Sequence, residues 1–99
     1  MTLVRIVRMS FRPEAVEAFL ENFETHRHSI RNFPGCLHLE LWQDYTEKNI
    51  FTTYSHWDSE KSLQQYRDSE LFNSVWSATK LLFDARPLAF SSKKILEVT

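Results

Sequence analysis

Glycine and cysteine are nearly absent from this 99-residue chain, and each shortage excludes a kind of site. Gly35 is the only glycine, so the sequence has no glycine-rich loop of the kind that wraps a phosphate group. Cys36 is the only cysteine, which excludes an internal disulfide and a metal site built from paired cysteines. A lone cysteine is typical of a small core residue, and we interpret Cys36 in that way.

The chain also lacks a long apolar run and a strong excess of charge. No stretch approaches the roughly 20 apolar residues that a membrane-spanning helix needs, and Arg5 follows Met1 too closely for a secretory signal. The formal net charge is -1 and the basic residues are scattered, which argues against binding to nucleic acid. We therefore expect a cytoplasmic protein that has neither a membrane nor nucleic acid as a partner.

Aromatic residues are plentiful, at 14% of the chain, within an otherwise ordinary composition of 42% hydrophobic and 25% charged residues. A chain of this length supports one hydrophobic core, so we predict a single domain over residues 1–99. Bulky rings in so small a domain can fill the core, line a cavity or contact a partner subunit. Composition alone does not divide the rings among these uses.

The hydrophobic pattern predicts the element order βαββαβ. We expect the second helical region to break near Asp68, where Ser69 can cap a new turn. This order predicts an α+β, ferredoxin-like fold in which a four-stranded antiparallel sheet carries its helices on one face. The predicted strands cover residues 3–11, 36–44, 50–57 and 88–98, and the helices cover residues 13–32 and the region that follows Ser59.

The predicted face of the sheet away from the helices carries large side chains. In the second strand Leu37, Leu39 and Leu41 alternate with other residues, which assigns the leucines to the helix-covered face. Because the other face is poorly suited to water, we predict that a second copy of the chain covers it in a two-fold homodimer. The side chains assigned to that other face include Val4, Ile6, Cys36, Trp42, Ile50 and Tyr54.

Four segments of the sequence resemble a known family. They are RMSFRPE at residues 8–14, FPGCL at residues 33–37, FTTYSHWDSE at residues 51–60 and YRDSELF at residues 66–72. Together they are similar to the antibiotic biosynthesis monooxygenase family over nearly the full chain. The resemblance implies a dimeric α+β barrel with a pocket between sheet and helices in each subunit. It also implies an activity without metal, flavin or haem, in which an ionised phenol or quinol reacts directly with O2.

One branch of the same family degrades haem. The resemblance places the histidine ligand of that branch at Trp76, and an asparagine of that branch near Val7. Neither polar side chain is present here, so we expect no bound haem. The sequence also has no HExxH motif and no carboxylate cluster, so we expect no metal site.

Three residues on the predicted hairpin are candidate catalytic groups. An imidazole can act as a base near neutral pH, so either His38 or His56 could take the proton of a hydroquinone. Tyr54 could donate a hydrogen bond to a substrate oxygen. The alternative for both histidines is a hydrogen-bonded or dimer-interface position, since strand alternation places them off the leucine face.

Six further residues are candidates for binding an aromatic substrate: Trp57, Tyr66, Phe72, Asn73, Trp76 and Arg86. We predict that the four aromatic side chains enclose a mainly apolar cavity, since helical spacing puts Phe72 and Trp76 on one face. Asn73 and Arg86 could hold a carbonyl or phenolate oxygen. The alternative is that the aromatic residues pack in an ordinary core and that the two polar residues serve in capping or packing. The sequence pattern is the same in both cases.

Two functions therefore stay open. The first is a cofactor-independent monooxygenase, an oxidoreductase that acts on a small phenolic or quinol-type substrate. The second is a non-catalytic dimeric protein of the same fold that binds a small molecule or acts in a stress response. A titratable group that projects into the cavity opposite the tryptophans would favour the first.

Overall fold

The computed structural model describes residues 2–99, which form one four-stranded antiparallel sheet with three α-helices. The strand order across the sheet is β2-β3-β1-β4. This arrangement confirms the predicted α+β, ferredoxin-like fold. The elements are β1 (Leu3–Ser10), α1 (Val16–Arg31), β2 (Cys36–Gln43), β3 (Ile50–Trp57), α2 (Glu60–Arg67), α3 (Glu70–Lys80) and β4 (Leu88–Ser92).

Local signals in the sequence place the start of the first helix. Pro13 opens a short 3-10 turn, Pro13–Ala15, that leads directly into α1, because its fixed φ suits the first turn of a helix. Glu14 and Glu17 lie near the positive end of the helix dipole, which favours them there. At 16 residues α1 is the longest helix. None of the helices within residues 2–99 is both long and apolar enough to cross a membrane.

The turn after α1 depends on Gly35. Its φ is 92°, in a region that side chains with a Cβ rarely adopt. A Cβ at this position would also overlap the side chain of Ser62 in α2. The Gly35 carbonyl accepts the backbone N–H of Asp58 at 2.9 Å, just before α2. The single glycine of the chain therefore lets this turn pack closely against the start of the next helix.

The second helical region breaks where the sequence predicts, between α2 and α3. The Ser59 hydroxyl oxygen accepts the backbone N–H of Ser62 at 3.1 Å and caps α2. The Ser69 hydroxyl oxygen accepts the N–H of Phe72 at 3.1 Å and caps α3. Two short helices therefore replace one continuous helix.

The helices pack on one face of the sheet, which we name the covered face, and the core there consists of two clusters. α1 and α3 contribute to the larger cluster, and α2 contributes to the smaller one. The stack of Phe11 on Phe19, with ring centroids 4.2 Å apart, lies at the centre of the larger cluster. The larger cluster is built on Met9, Phe11, Phe19 and Phe51, and the smaller one on Cys36, Trp57 and Leu63.

The second strand differs from its predicted alternation at its start. The pairing of β2 with β3 is irregular between Cys36 and His38, which shifts the side-chain alternation by one position. Cys36 therefore lies buried beside Trp57 on the covered face, whereas Leu37 is 47% exposed. The predictions that Cys36 lies on the other face and Leu37 on the covered face were wrong.

The closing strand is shorter than the predicted strand over residues 88–98. β4 ends at Ser92, which pairs with Val4 near the start of β1. Because β1 offers hardly any backbone beyond that point, residues 93–99 continue without regular structure. This tail leaves Ile95, Leu96 and Val98 exposed.

The face of the sheet that carries no helix is here named the open face. In register across it, Ile6 lies between Tyr54 of β3 and Phe90 of β4. Trp42 and Phe90 are 42% and 43% exposed. The main side chains of the open face are Val4, Ile6, Arg8, His38, Glu40, Trp42, Thr52, Tyr54, His56, Leu88 and Phe90.

Candidate functional site

A cavity of about 230 Å³ lies between the covered face and the helices. Residues of both core clusters line it. The sheet leaves room here because three neighbouring side chains are short: Thr53, Ser55 and Ala89. The volume is below the roughly 300–1,000 Å³ of drug-sized pockets, so the cavity suits a molecule of one or two rings.

Four rings form one wall of this cavity, here named the aromatic wall. Trp57 stacks on Tyr66 with 5.0 Å between ring centroids, and Tyr66 meets Phe72 edge to face at 5.2 Å. Phe72 and Trp76 lie nearly parallel, 5.8 Å apart. Offset and edge contacts are the arrangements that aromatic rings prefer. The wall is thus a continuous surface for a planar ring, although the role of these four residues in binding stays a prediction.

Hydrogen bonds hold the helices that carry the aromatic wall. At the break between α2 and α3, the Ser69 hydroxyl donates to the Tyr66 carbonyl at 2.6 Å. From α1, the Asn22 side-chain amide donates to the Val75 carbonyl at 3.3 Å and to Thr79 Oγ1 at 3.2 Å. These bonds tie α1 to α3 and fix the helix break beside the cavity.

The two polar groups of the aromatic wall are in different states. The indole N–H of Trp57 donates to Ser55 Oγ at 3.0 Å, so this buried donor is satisfied. The Tyr66 hydroxyl makes no hydrogen bond within residues 2–99. Burial raises the pKa of Tyr66 well above its usual value, and the nearby Cys36 raises it further. Tyr66 therefore keeps its proton at neutral pH and can donate it in a hydrogen bond to a ligand.

Two arginines bring positive charge to the cavity. Arg5 of β1 and Arg67 at the end of α2 both line it. Burial lowers the pKa of Arg5, and the positive charge of Arg67, on the same cavity lining, lowers it further. We did not predict this charge from the sequence. Strand alternation could have indicated it, because Arg5 shares the inward face of β1 with Leu3, Val7 and Met9.

Asn73 and Arg86 do not line the cavity. Both are exposed. Asn73 lies in the first turn of α3, where its backbone N–H donates to the Ser69 carbonyl at 3.1 Å. Arg86 precedes Pro87 in the loop before β4. Their placement therefore does not support the expectation that they hold a substrate oxygen in this cavity.

The candidate catalytic residues His38, Tyr54 and His56 gather on the open face. The His38 and His56 rings lie 5.1 Å apart, Tyr54 lies 4.9 Å from His56, and Trp42 stacks on Tyr54 at 4.7 Å. Because side chains alternate along β3, Tyr54 and His56 point away from the cavity that Ser55 helps to line. Within one chain, none of the three reaches a ligand in the cavity.

Hydrogen bonds order one part of the open face and leave another part unpaired. The Glu40 carboxylate accepts from His38 Nε2 and, at 2.7 Å, from the Trp42 indole N–H. These bonds, that of His38 first, lower the pKa of Glu40. His56 Nε2 is buried without a partner in the described part of the chain. Burial, followed by the charges of His38 and Lys94, lowers the pKa of His56.

A larger, open groove of about 940 Å³ runs between the outer side of α1 and β2. Its lining combines Leu20 and Leu41 with charged helix residues such as Arg27 and Glu24, which pair with each other at 3.0 Å. It has no wall of stacked rings. The smaller cavity is therefore the better candidate for an aromatic ligand.

The cavity does not fit haem. Val7 and Trp76, which correspond by the resemblance to the polar groups of the haem-degrading branch, both line it. No histidine is part of the lining, so no imidazole there can bind haem iron. Across residues 2–99, no group of three or more His, Cys, Asp or Glu side chains is arranged to hold a metal ion.

Comparison with known proteins places this geometry in context. The sequence matches the family described as antibiotic biosynthesis monooxygenase over residues 2–75. No curated protein matches it.

Solved structures share the fold. A conserved protein from Methanosarcina mazei Go1 has a TM-score of 0.90 and 19% identity, over 95% of this chain and 93% of that chain. A protein from Mycobacterium tuberculosis has a TM-score of 0.89 and 16% identity over 100% of both chains. One from Nitrosomonas europaea, provisionally described as an antibiotic biosynthesis monooxygenase, has a TM-score of 0.87 and 15% identity, over 95% of this chain and 99% of that chain. At these identities the likeness is one of fold.

Proposed function

Because this chain belongs to the antibiotic biosynthesis monooxygenase family, we propose that it is a cofactor-independent monooxygenase of a small phenol or quinol. The observation that carries the proposal is the cavity of about 230 Å³ with its aromatic wall. A planar ring can pack against the partly exposed rings of this wall, Tyr66, Phe72 and Trp76, while the buried Trp57 supports them from behind. The apolar surroundings then exclude water from a reactive oxygen intermediate.

The substrate supplies all the electrons in this proposal. A phenol and O2 give a quinone and water: one oxygen atom enters the ring, and the other leaves as water with two hydrogens of the substrate. The ionised phenol is the electron-rich form, and the positive charges of Arg5 and Arg67 favour it in the cavity. The Tyr66 hydroxyl, which stays protonated, can donate a hydrogen bond to the phenolate oxygen.

Oxygen consumption tests this activity. We expect the purified chain, without added metal, flavin or haem, to consume O2 with phenols or hydroquinones and to form quinone absorbance. Tyr66→Phe keeps the ring and removes the donor, so turnover should fall roughly tenfold or more. Tyr45→Phe is the matched control, because Tyr45 is fully exposed. A wild-type protein that binds these compounds and consumes no O2 would contradict the proposal.

One observation favours the second candidate, a non-catalytic protein that binds a small molecule or acts in a stress response. The cavity lining contains no His, Asp or Glu, so it offers no ordinary general base. The groups that could serve, His38 and His56, lie on the open face. Phenol binding without oxygen consumption is the result that identifies this candidate.

A homodimer belongs to the same proposal. The open face combines half-exposed Trp42 and Phe90 with Ile6 and Tyr54 in one apolar strip across the sheet. A second copy can cover this strip by packing sheet against sheet. Sedimentation velocity at micromolar concentration should therefore find twice the mass of one chain, and a monomer would contradict this part. A cytoplasmic location, where the Cys36 thiol stays reduced, fits the proposal.

A further inference from the structure

The aromatic wall accounts for only one side of the cavity, because the other side carries charge in an unusual place. Arg5 occupies the middle of β1, a central strand, on the covered face. Its partners across the neighbouring strands are Ser55 and Ser91, which are short and uncharged. A partly buried charge at such a position costs stability unless a counter-charge or several hydrogen bonds compensate it.

The chain itself supplies little compensation. One Arg5 N–H donates to Ser91 Oγ at 3.1 Å, and this is the only hydrogen bond of its guanidinium within residues 2–99. Arg67 makes no side-chain hydrogen bond in the same range. Neither arginine has a carboxylate within ion-pairing distance in the described part of the chain. A guanidinium has five N–H donors, so most donors of the partly buried Arg5 remain without a partner in the chain, and those of the exposed Arg67 are open to solvent or to a ligand.

The two arginines also act on each other. The positive charge of Arg67 disfavours the charged form of Arg5, in addition to the effect of burial. Two like charges beside one small cavity repel, and an anion between them would remove that repulsion. The aromatic wall lies in the same cavity, so the anion and a planar ring can belong to one molecule.

We propose that Arg5 and Arg67 form a carboxylate-binding subsite, and that the ligand of this cavity is a planar aromatic acid of one or two rings. This inference rests on the cavity of the proposed function and names its substrate class. The guanidinium fork matches the two oxygens of a carboxylate, while the wall receives the ring. In such an acid the carboxylate, and not the phenolate, takes the two arginines, so the Tyr66 hydroxyl is left as the donor for a phenol group elsewhere on the ring.

A role of Arg5 in binding and a role in folding predict opposite effects of one substitution. Arg5→Met keeps much of the side-chain length and removes a charge that the chain does not pair. If the arginine serves a ligand, the melting temperature of the ligand-free protein stays the same or rises. A clear fall in that temperature would mean that Arg5 is needed for folding, and it would count against the subsite.

Calorimetry with two matched ligands tests the binding itself. Para-hydroxybenzoate and para-hydroxybenzamide carry the same phenol and have a second group of similar size, which is an anionic carboxylate in the first and a neutral amide in the second. We expect the acid to bind roughly tenfold to a hundredfold more tightly than the amide. Arg5→Gln and Arg67→Gln should each reduce this preference. Arg27→Gln, in the larger groove on α1, is the control and should leave it unchanged.

Each other outcome overturns the subsite. Equal affinity for the acid and the amide would show that the cavity does not recognise the carboxylate. The absence of any binding by the acid would contradict the subsite as well. If the preference for the acid over the amide survives both Arg5→Gln and Arg67→Gln, or falls with Arg27→Gln, the acid binds at another place on the protein. Oxygen consumption is measured separately. If Arg5 is needed for binding of the acid and no oxygen is consumed, the subsite is supported and the monooxygenase activity is contradicted. If phenols are oxidised without a preference for the acid, the activity is supported and the subsite is contradicted.

Discussion

The two faces of the sheet use aromatic residues in different ways. On the covered face Trp57 is 1% exposed, and its indole N–H is satisfied by Ser55. On the open face Trp42 is 42% exposed and donates instead to Glu40, a half-exposed carboxylate. Helices complete the first face and leave a cavity inside it, whereas no helix within residues 2–99 covers the second. The covered face therefore encloses the cavity that we propose for a small molecule, and the open face carries the strip that we propose for a second copy of the chain.

Truncating one tryptophan on each face gives the largest contrast. Trp57→Ala removes a fully buried ring, which should cost roughly 3 to 5 kcal/mol of unfolding free energy. Trp42→Ala is the matched change on the open face and should cost much less in a single chain. Urea denaturation measures both values. A similar loss for Trp42→Ala that shrinks on dilution would point to a buried dimer interface, because the wild type loses its own dimer stabilisation as it dissociates, and a small loss for Trp57→Ala would break the comparison.

Trp76 separates packing from binding on the covered face. It is only partly buried and lies in the aromatic wall, so Trp76→Ala should cost less than about 3 kcal/mol, below the loss for Trp57→Ala. Because the aromatic ring of the ligand loses its contact with the indole, the affinity for phenols or quinols should also fall. Thermal melts and calorimetry on the same preparations give both quantities. A stability loss as large as that of Trp57→Ala, in a protein whose wild type binds no phenol, would indicate a packed core rather than a site.

A charge on the open face should act on assembly instead. Ile6→Asp places a carboxylate between Tyr54 and Phe90, in the apolar strip. If two sheets pack together there, the dissociation constant of the dimer should increase at least tenfold, which corresponds to about 1.4 kcal/mol. Leu81→Asp is the control, since Leu81 is 70% exposed just after α3. Sedimentation velocity distinguishes the two, and equal behaviour of both variants would show that the open face is not the interface.

The smallest effect should be a dependence of stability on pH. The folded-state pKa of His56 is lowered below 6.5 by burial and then by the charges of His38 and Lys94, with Glu40 acting in the opposite direction. The neutral ring is thus the favoured form in the fold. Its contribution to stability is complete above pH 6.5 and is lost as the pH falls from there through the lowered pKa.

Melting temperatures between pH 7.5 and 5 measure this contribution. We expect a modest decline in the wild type that is reduced in His56→Gln, because that variant has no imidazole to protonate. His28→Gln, on the exposed surface of α1, should keep the wild-type slope. A slope that is the same in all three proteins would remove His56 as its source.

Much of the fold was predictable because it depends on local chemistry. Helical and alternating periods give the element order, Ser59 and Ser69 cap their helices, and Gly35 makes a turn that only glycine suits. Strand alternation also placed His38 and His56 off the leucine face correctly. Helical spacing also placed Phe72 and Trp76 on one face of α3, although their role in binding remains to be tested. Their meeting with Trp57 and Tyr66 in one wall is a contact between elements.

The remaining features depend on how the elements meet. The pairing of β2 with β3 is irregular, which buries Cys36 and exposes Leu37. β4 ends at Ser92, near the start of its partner strand β1. Both features depend on the position of the partner strand. Asn73 lies away from the cavity, and Arg5 and Arg67 line it together. The pattern of a single strand or helix predicts neither of these two features.

The sequence by itself therefore determined the elements, their order and the face on which most side chains lie, because hydrophobic period and capping act within a few residues. Only the tertiary structure decided which groups share the cavity. Arg5 and Arg67 are 62 positions apart in the chain, and their approach depends on the distance at which α2 packs over β3, the strand beside β1. That distance is set by the summed volumes of the side chains between the two elements, which include the short Ser55, and no local pattern records it.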